Sequence, residues 1–64
     1  MITVNGEKLE FVRKTIAELL EILGYDEKRV AVELNGNIAP KAEYKNIMIH
    51  DDDKLEIVRF VGGG

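Results

Sequence analysis

Three consecutive glycines, Gly62, Gly63 and Gly64, close the sequence and are the residues best suited to chemistry. A backbone without side chains can thread a narrow channel and lie flat against another protein. With Val61 the segment reaches about 13–14 Å when fully extended, enough to enter a partner's active site. The group so delivered is the carboxylate of Gly64. A carboxylate resists nucleophilic attack because it is charged and its oxygen leaves poorly. An ATP-using partner can convert it to an acyl-adenylate, from which sulfide or a persulfide displaces AMP to leave a thiocarboxylate. The plain alternative is a frayed or appended end, since termini are commonly loose. What favours a device is placement: the glycines follow an apolar strand directly, with no spacer.

Other residue groups offer less. Asp51-Asp52-Asp53 carries three carboxylates, but adjacent residues of an extended segment point to opposite faces and do not converge on a metal. A calcium loop needs spaced ligands and a distant Glu, absent here. The run reads as a solvated turn, and no metal site is expected. His50 is the only histidine, and the chain has neither Ser nor Cys, so a Ser/His or Cys/His nucleophile pair is impossible. His50 is expected at a surface or edge. Glu18 and Glu21 belong to a solvated helix face.

The elements that hold out the tail must come from 64 residues. That length allows one domain with a modest core, here residues 1–61, followed by a flexible tail at 62–64. A core this small leaves no room for a deep catalytic pocket, which weighs against a self-contained enzyme. Hydrophobic residues make up 45% and charged residues 33%, a globular balance. Without cysteine, packing alone stabilises the fold. No apolar run has the roughly 18 residues of a membrane span, and Met1-Ile2-Thr3-Val4 lacks the basic region of a leader. The expectation is a cytoplasmic protein with no membrane contact. A net charge of −3 argues against nucleic acid and points to a basic partner surface.

Periodicity gives the elements. Ile2 and Val4 alternate with polar neighbours, Asn5-Gly6 is a hairpin turn signal, and Glu7 to Val12 alternates again with Leu9 and Phe11 facing Ile2 and Val4. Thr15-Ile16-Ala17-Glu18 is a capping box, and Ile16, Leu19, Leu20 and Leu23 form one apolar helical stripe over Ile16 to Leu23. Gly24 suits the left-handed stop. Tyr25 to Arg29 is a polar connection. Val30 to Leu34 is a strand, with Val30, Val32 and Leu34 inward. Asn35-Gly36 is a second turn, Asn37 to Ala39 a short strand, and Pro40 marks an edge or an exit. Lys41 to Asn46 is polar around Tyr44. Ile47 to Ile49 is expected as a short edge strand. Lys54 to Val61 is the last strand, apolar on both faces: Leu55 and Ile57 on one, Val58 and Phe60 on the other. Such a strand belongs in the sheet centre, beside the first strand and parallel to it. The fold class is α+β, a β-grasp (ubiquitin-like) mixed sheet with one main helix on one face. Val58 and Phe60 then lie on the face one helix cannot cover, and a docking surface beside the tail is favoured over packing against neighbouring strands or the turn around Tyr44.

The chain resembles the ThiS family of sulfur carriers in thiamine biosynthesis over essentially its whole length. The resemblance rests on Met1-Ile2-Thr3-Val4-Asn5-Gly6, on Val32-Glu33-Leu34-Asn35-Gly36 with Ile38 and Pro40-Lys41, and most specifically on Asp53 to Gly64. Two positions depart from the family pattern: Asp52 replaces the usual Gly of an Asp-Gly-Asp turn, and Tyr44 stands near the usual Trp. The resemblance implies adenylation of Gly64 by a ThiF-like adenylyltransferase. Sulfur then comes from a donor such as a cysteine desulfurase, and the Gly64 thiocarboxylate delivers it to a ThiG-like thiazole synthase. It implies no cofactor of the chain's own; the ATP is the partner's. Gly63 and Gly64 carry over as the essential pair, and Gly62, Val61, Phe60 and Val58 as partner contacts.

Three other readings share parts of this pattern. The small subunit of molybdopterin synthase, or a carrier for tRNA thiolation, uses the same chemistry, but the chain lacks a Pro-rich approach to the glycines. A ubiquitin-like binding module makes the glycines incidental, so their deletion leaves partner affinity intact. A protein modifier forms isopeptide bonds through Gly64.

Overall fold

A computed structural model describes residues 1–10 and 13–60. The expected positions of Phe11 and Val12, the 61/62 domain boundary and the tail fall outside the described residues. Strand β1 (Ile2–Val4) and strand β2 (Glu7–Leu9) form the first hairpin, with Leu9 opposite Ile2 and Glu7 opposite Val4. Asn5 and Gly6 both take positive φ, 51° and 81°, as a two-residue hairpin turn demands.

Helix α1 spans Ile16–Ile22. Its start is satisfied amide by amide. The Ile16 N–H donates to the Ile47 carbonyl and the Ala17 N–H to the Tyr44 carbonyl, each at 3.0 Å. The Glu18 N–H donates to the Thr15 hydroxyl at 3.2 Å, while the Glu18 carboxylate accepts from the Thr15 N–H at 2.8 Å. These are the amides that lack helical partners, so the first turn is closed by the predicted capping box and by a segment thirty residues away. At the far end Gly24 has φ 81°, and the N–H groups of Gly24 and Tyr25 return to the carbonyls of Glu21 and Leu20. This double return is the Schellman stop.

Strand β3 (Val30–Leu34) and strand β4 (Asn37–Ile38) form a second hairpin, and strand β5 (Lys54–Arg59) follows. Among the described residues the sheet order is β2-β1-β5-β3-β4. β5 runs parallel to β1 and antiparallel to β3. The last strand is therefore central and pairs in parallel with the first, the β-grasp arrangement read from the sequence. Ile16, Leu19 and Leu20 of α1 share one buried core with Ile2, Val4, Val30, Val32, Leu55 and Ile57. At about 1.5–3 kcal/mol per buried aliphatic side chain, these positions supply the stability that disulfides cannot.

β2 ends at Leu9, β4 at Ile38 and β5 at Arg59, so Glu10, Ala39 and Phe60 fall outside the strands expected to hold them, and further differences follow. Ile47 to Ile49 is not an edge strand: Met48 makes one isolated bridge with Thr15. The segment turns toward the helix start, with Ile47 accepting from Ile16 and Ile49 donating to the Lys14 carbonyl at 2.9 Å. Leu23 lies just past the helix and is 36% exposed, because the chain leaves the core stripe at the cap. Tyr44 is a core residue, 2% exposed, whose hydroxyl accepts the Val32 N–H at 3.1 Å. The polar residues around it form a single 3-10 turn, Lys41–Glu43, that swings the ring inward.

Replacing Tyr44 by Phe strands the buried Val32 N–H and should cost about 1–3 kcal/mol in urea unfolding. A second outcome concerns pH. The Thr15 backbone N–H, and then its hydroxyl, hold the Glu18 carboxyl below its ordinary value of 4.5. A lowered carboxylate contributes stability above the ordinary value and loses it as pH falls through the folded one. The stability gap between wild type and Glu18→Gln should therefore narrow from about neutral pH to about pH 3, as read by urea midpoints.

Candidate functional site: the root of the tail

β5 leads straight to the glycines, so what fixes β5 fixes their origin. On one side it pairs with β3 from Leu34–Leu55 to Val30–Arg59. On the other side β1 reaches only Val4, opposite Leu55. Asn5 extends the ladder past that point. Its N–H donates to the Leu55 carbonyl at 3.0 Å, its side-chain oxygen accepts the Ile57 N–H at 2.7 Å, and its side-chain NH2 donates to the Ile57 carbonyl at 3.2 Å. The amide side chain copies a backbone strand partner. Asn35 does the same at the start of β5. It accepts the Lys54 N–H at 2.9 Å, returns its own N–H to the Lys54 carbonyl at 2.7 Å, and reaches the Asp53 carboxylate at 2.9 Å. Among the described residues the bond nearest the tail runs from the Phe60 N–H to the Arg29 carbonyl at 2.9 Å.

The alternation of β5 sorts its side chains. Leu55 and Ile57 point into the core, while Val58 is 55% and Phe60 48% exposed on the opposite face. Tyr44 itself is in the core, but the turn that leads into it reaches Phe60 through Lys41, so the alternative of packing against that turn holds in part for Phe60. Ile38 is also exposed and shares that outer face, since it pairs with Glu33, which pairs with Glu56. Val58 and Phe60 thus stand on the outer face near the tail root, Val58 on β5 and Phe60 just past its end and partly covered by Lys41. Val61, Gly62, Gly63 and Gly64 lie outside the described residues.

Sequence reasoning missed the side chains that grip this root. The Arg59 guanidinium lies 5.0 Å from the Tyr25 ring, and the Lys41 ammonium 4.8 Å from the Phe60 ring. Lys41 also donates to the Lys28 carbonyl at 2.8 Å. Such cation–π contacts are worth about 0.5–1 kcal/mol at exposed sites. The only signal for Lys41 was its place after Pro40, with nothing to say that it would meet Phe60.

The remaining candidates are structural. Among the described residues no group of His, Asp and Glu is placed to hold a metal. Asp53 accepts from the His50 N–H at 2.8 Å and Asp51 from the Asp52 N–H at 3.0 Å. Asp52 has φ 70°, the left-handed conformation that explains why glycine is common there. His50 is exposed.

The ThiS family model matches residues 2–64. The chain is 38% identical to the sulfur carrier protein ThiS of Bacillus subtilis (strain 168), over 66 aligned positions and the full length of both. It is 47% identical to a thiazole synthase of Paramagnetospirillum magneticum, but there it spans only 20% of that protein's length. Among solved structures, the thiamine biosynthesis protein ThiS of Geobacter metallireducens superposes with a TM-score of 0.80 at 31% identity, covering 98% of this chain and 97% of that one.

If Asn5 serves as a surrogate strand partner, Asn5→Asp keeps a residue tolerant of positive φ but loses the donor to Ile57. It also sets a carboxylate against that carbonyl. The expected loss is about 1–2 kcal/mol by urea unfolding, from the unpaired Ile57 carbonyl, while the Ile57 N–H keeps an oxygen acceptor.

Proposed function

The chain belongs to the ThiS family, and from that membership we propose that it is a sulfur carrier of thiamine biosynthesis, with the carboxyl group of Gly64 as its cargo site. The observation that carries the reading is the central strand β5. It is hydrogen-bonded as far as Phe60, flanked by bare Val58 and Phe60, and continued by Gly62-Gly63-Gly64 within the matched span. A small fold anchors the root, and the side-chain-free end does the travelling.

The chemistry belongs to partners, and the chain is their protein co-substrate. A ThiF-like adenylyltransferase binds ATP. The Gly64 carboxylate attacks the α-phosphorus, pyrophosphate leaves, and the acyl-adenylate forms. Hydrosulfide attacks the carbonyl carbon, AMP leaves with the C–O bonding pair, and a thiocarboxylate remains. If the donor is the persulfide of a cysteine desulfurase, the first product is an acyl disulfide. A thiol must then supply two electrons to free the thiocarboxylate. A ThiG-like thiazole synthase receives the sulfur. Val58, Phe60, Val61 and Gly62 meet these partners: the apolar pair by docking, the latter two by lying in the entrance of the channel. Gly63 and Gly64 enter the active site, where any side chain collides. ATP chemistry of this kind fits the cytoplasm.

The test incubates the chain with an adenylyltransferase of this type, ATP and sulfide, and reads intact mass. Wild type should gain the difference between one sulfur and one oxygen. A chain lacking Gly63 and Gly64 should fold and gain nothing. A wild type that never exchanges oxygen for sulfur refutes the carrier reading, as does a truncated chain that still transfers sulfur. Phe60→Ala should weaken binding to the adenylyltransferase by at least about 1 kcal/mol, measured calorimetrically, if the bare face docks.

A further inference from the structure

The charge of the whole chain and the charge at the root of its tail have opposite signs. The chain carries a net charge of −3. Its densest acidic run, Asp51-Asp52-Asp53, sits at the entry end of β5. At the exit end stand Arg29, Lys41 and Arg59. The Arg29 side chain is 80% exposed. Lys41 lies over the outer face of the tail root, on the Phe60 ring, and Arg59 on the helix side, by the Tyr25 ring. Arg29 and Arg59 line one shallow hollow with Phe60, Asp26 and Gly24. Acids also stand here: Asp26 and Glu27 precede Arg29 in the chain, and Glu43 shares the turn of Lys41. Asp26 is already engaged, with Arg29 at 3.6 Å and with the Lys28 N–H at 2.9 Å. Among the described residues none of the three cations is spent in a buried ion pair, and the two cation–π contacts hold Lys41 and Arg59 against the root.

We propose that Arg29, Lys41 and Arg59 form a cationic collar that docks on an acidic rim around the channel of the adenylating partner, a proposal that rests on the carrier reading above. The commitment to an acidic rim comes from charge complementarity at the contact, where net charge points the other way. A chain acidic at one end of its central strand and basic at the other is also turned by an acidic rim so that the tail arrives first. Attraction of this type acts mainly on the association rate and fades with salt.

The experiment measures association of the full chain with the adenylyltransferase by stopped flow, at ionic strengths from about 0.01 to 0.15 M, where the Debye length falls from about 30 to 8 Å. Arg29→Glu, Lys41→Glu and Arg59→Glu are compared with Lys8→Glu. The control changes net charge equally but lies on β2, at the opposite edge of the sheet. Circular dichroism confirms folding, and Arg29, whose side chain is 80% exposed, gives a readable variant even if Lys41→Glu fails to fold. The collar variants should associate about tenfold more slowly at low salt, with the gap closing as salt rises, while Lys8→Glu stays within about twofold of wild type. Equal effects of Lys8→Glu and the collar variants, or faster association of the collar variants, overturn the collar. Thiocarboxylate formation at saturating adenylyltransferase separates the two claims. Wild type that is converted while the collar variants associate normally leaves the carrier reading standing and ends the collar. Wild type that is never converted ends both.

Discussion

A central strand must have its backbone satisfied on two sides, and in this protein one neighbour is too short to do it. β1 ends at Val4, with β5 still to run past Ile57 to its end. Asn5 resolves the mismatch by turning the corner in the left-handed region while its amide stands in for the missing strand. Asn35 does the matching work where β5 begins. An amide group suits this role because it offers a donor and an acceptor in one plane, as a peptide does. Every later feature inherits this fixation: the inward aim of Leu55 and Ile57, the bareness of Val58 and Phe60, and the place where the glycines start.

Much of the architecture was legible in the sequence because it depends on local rules. Period-two apolar alternation marked the strands, Thr15 and Glu18 marked the helix start, and Asn-Gly pairs marked both hairpins. The apolar character of both faces of residues 55–60 was enough to place that strand in the centre. What stayed hidden depends on distant contacts. Ile47-Met48-Ile49 looks like a strand by composition, yet its carbonyl at Ile47 is taken by the helix start. Tyr44 sits in a polar stretch, yet its hydroxyl completes the Val32 N–H that the two-residue β4 leaves open. The asparagines were read for their tolerance of positive φ alone, and their side-chain bonds to β5 carried no signature beyond the choice of Asn.

The site divides the same way. Val58 and Phe60 could be placed by counting along a strand. Lys41 and Arg59 could not, since their aromatic partners come from other elements and only the fold brings them together. Composition is also silent on distribution: the chain is mildly acidic overall, while the end that bears the tail gathers Arg29, Lys41 and Arg59. Average charge describes solubility and long-range approach, whereas recognition reads the few groups at the contact.

Displaying Val58, Phe60 and Ile38 on open sheet exposes a protein to a familiar hazard, the growth of one sheet onto another. Here both margins are blunt. β4 has two residues and runs into Pro40, which has no N–H to offer. β2 has three, two of them the exposed charged side chains of Glu7 and Lys8. Among the described residues, such short margins offer little edge for a second copy to extend into a ladder. An exposed apolar face and short, charged or proline-ended margins therefore occur, among the described residues, in one small sheet.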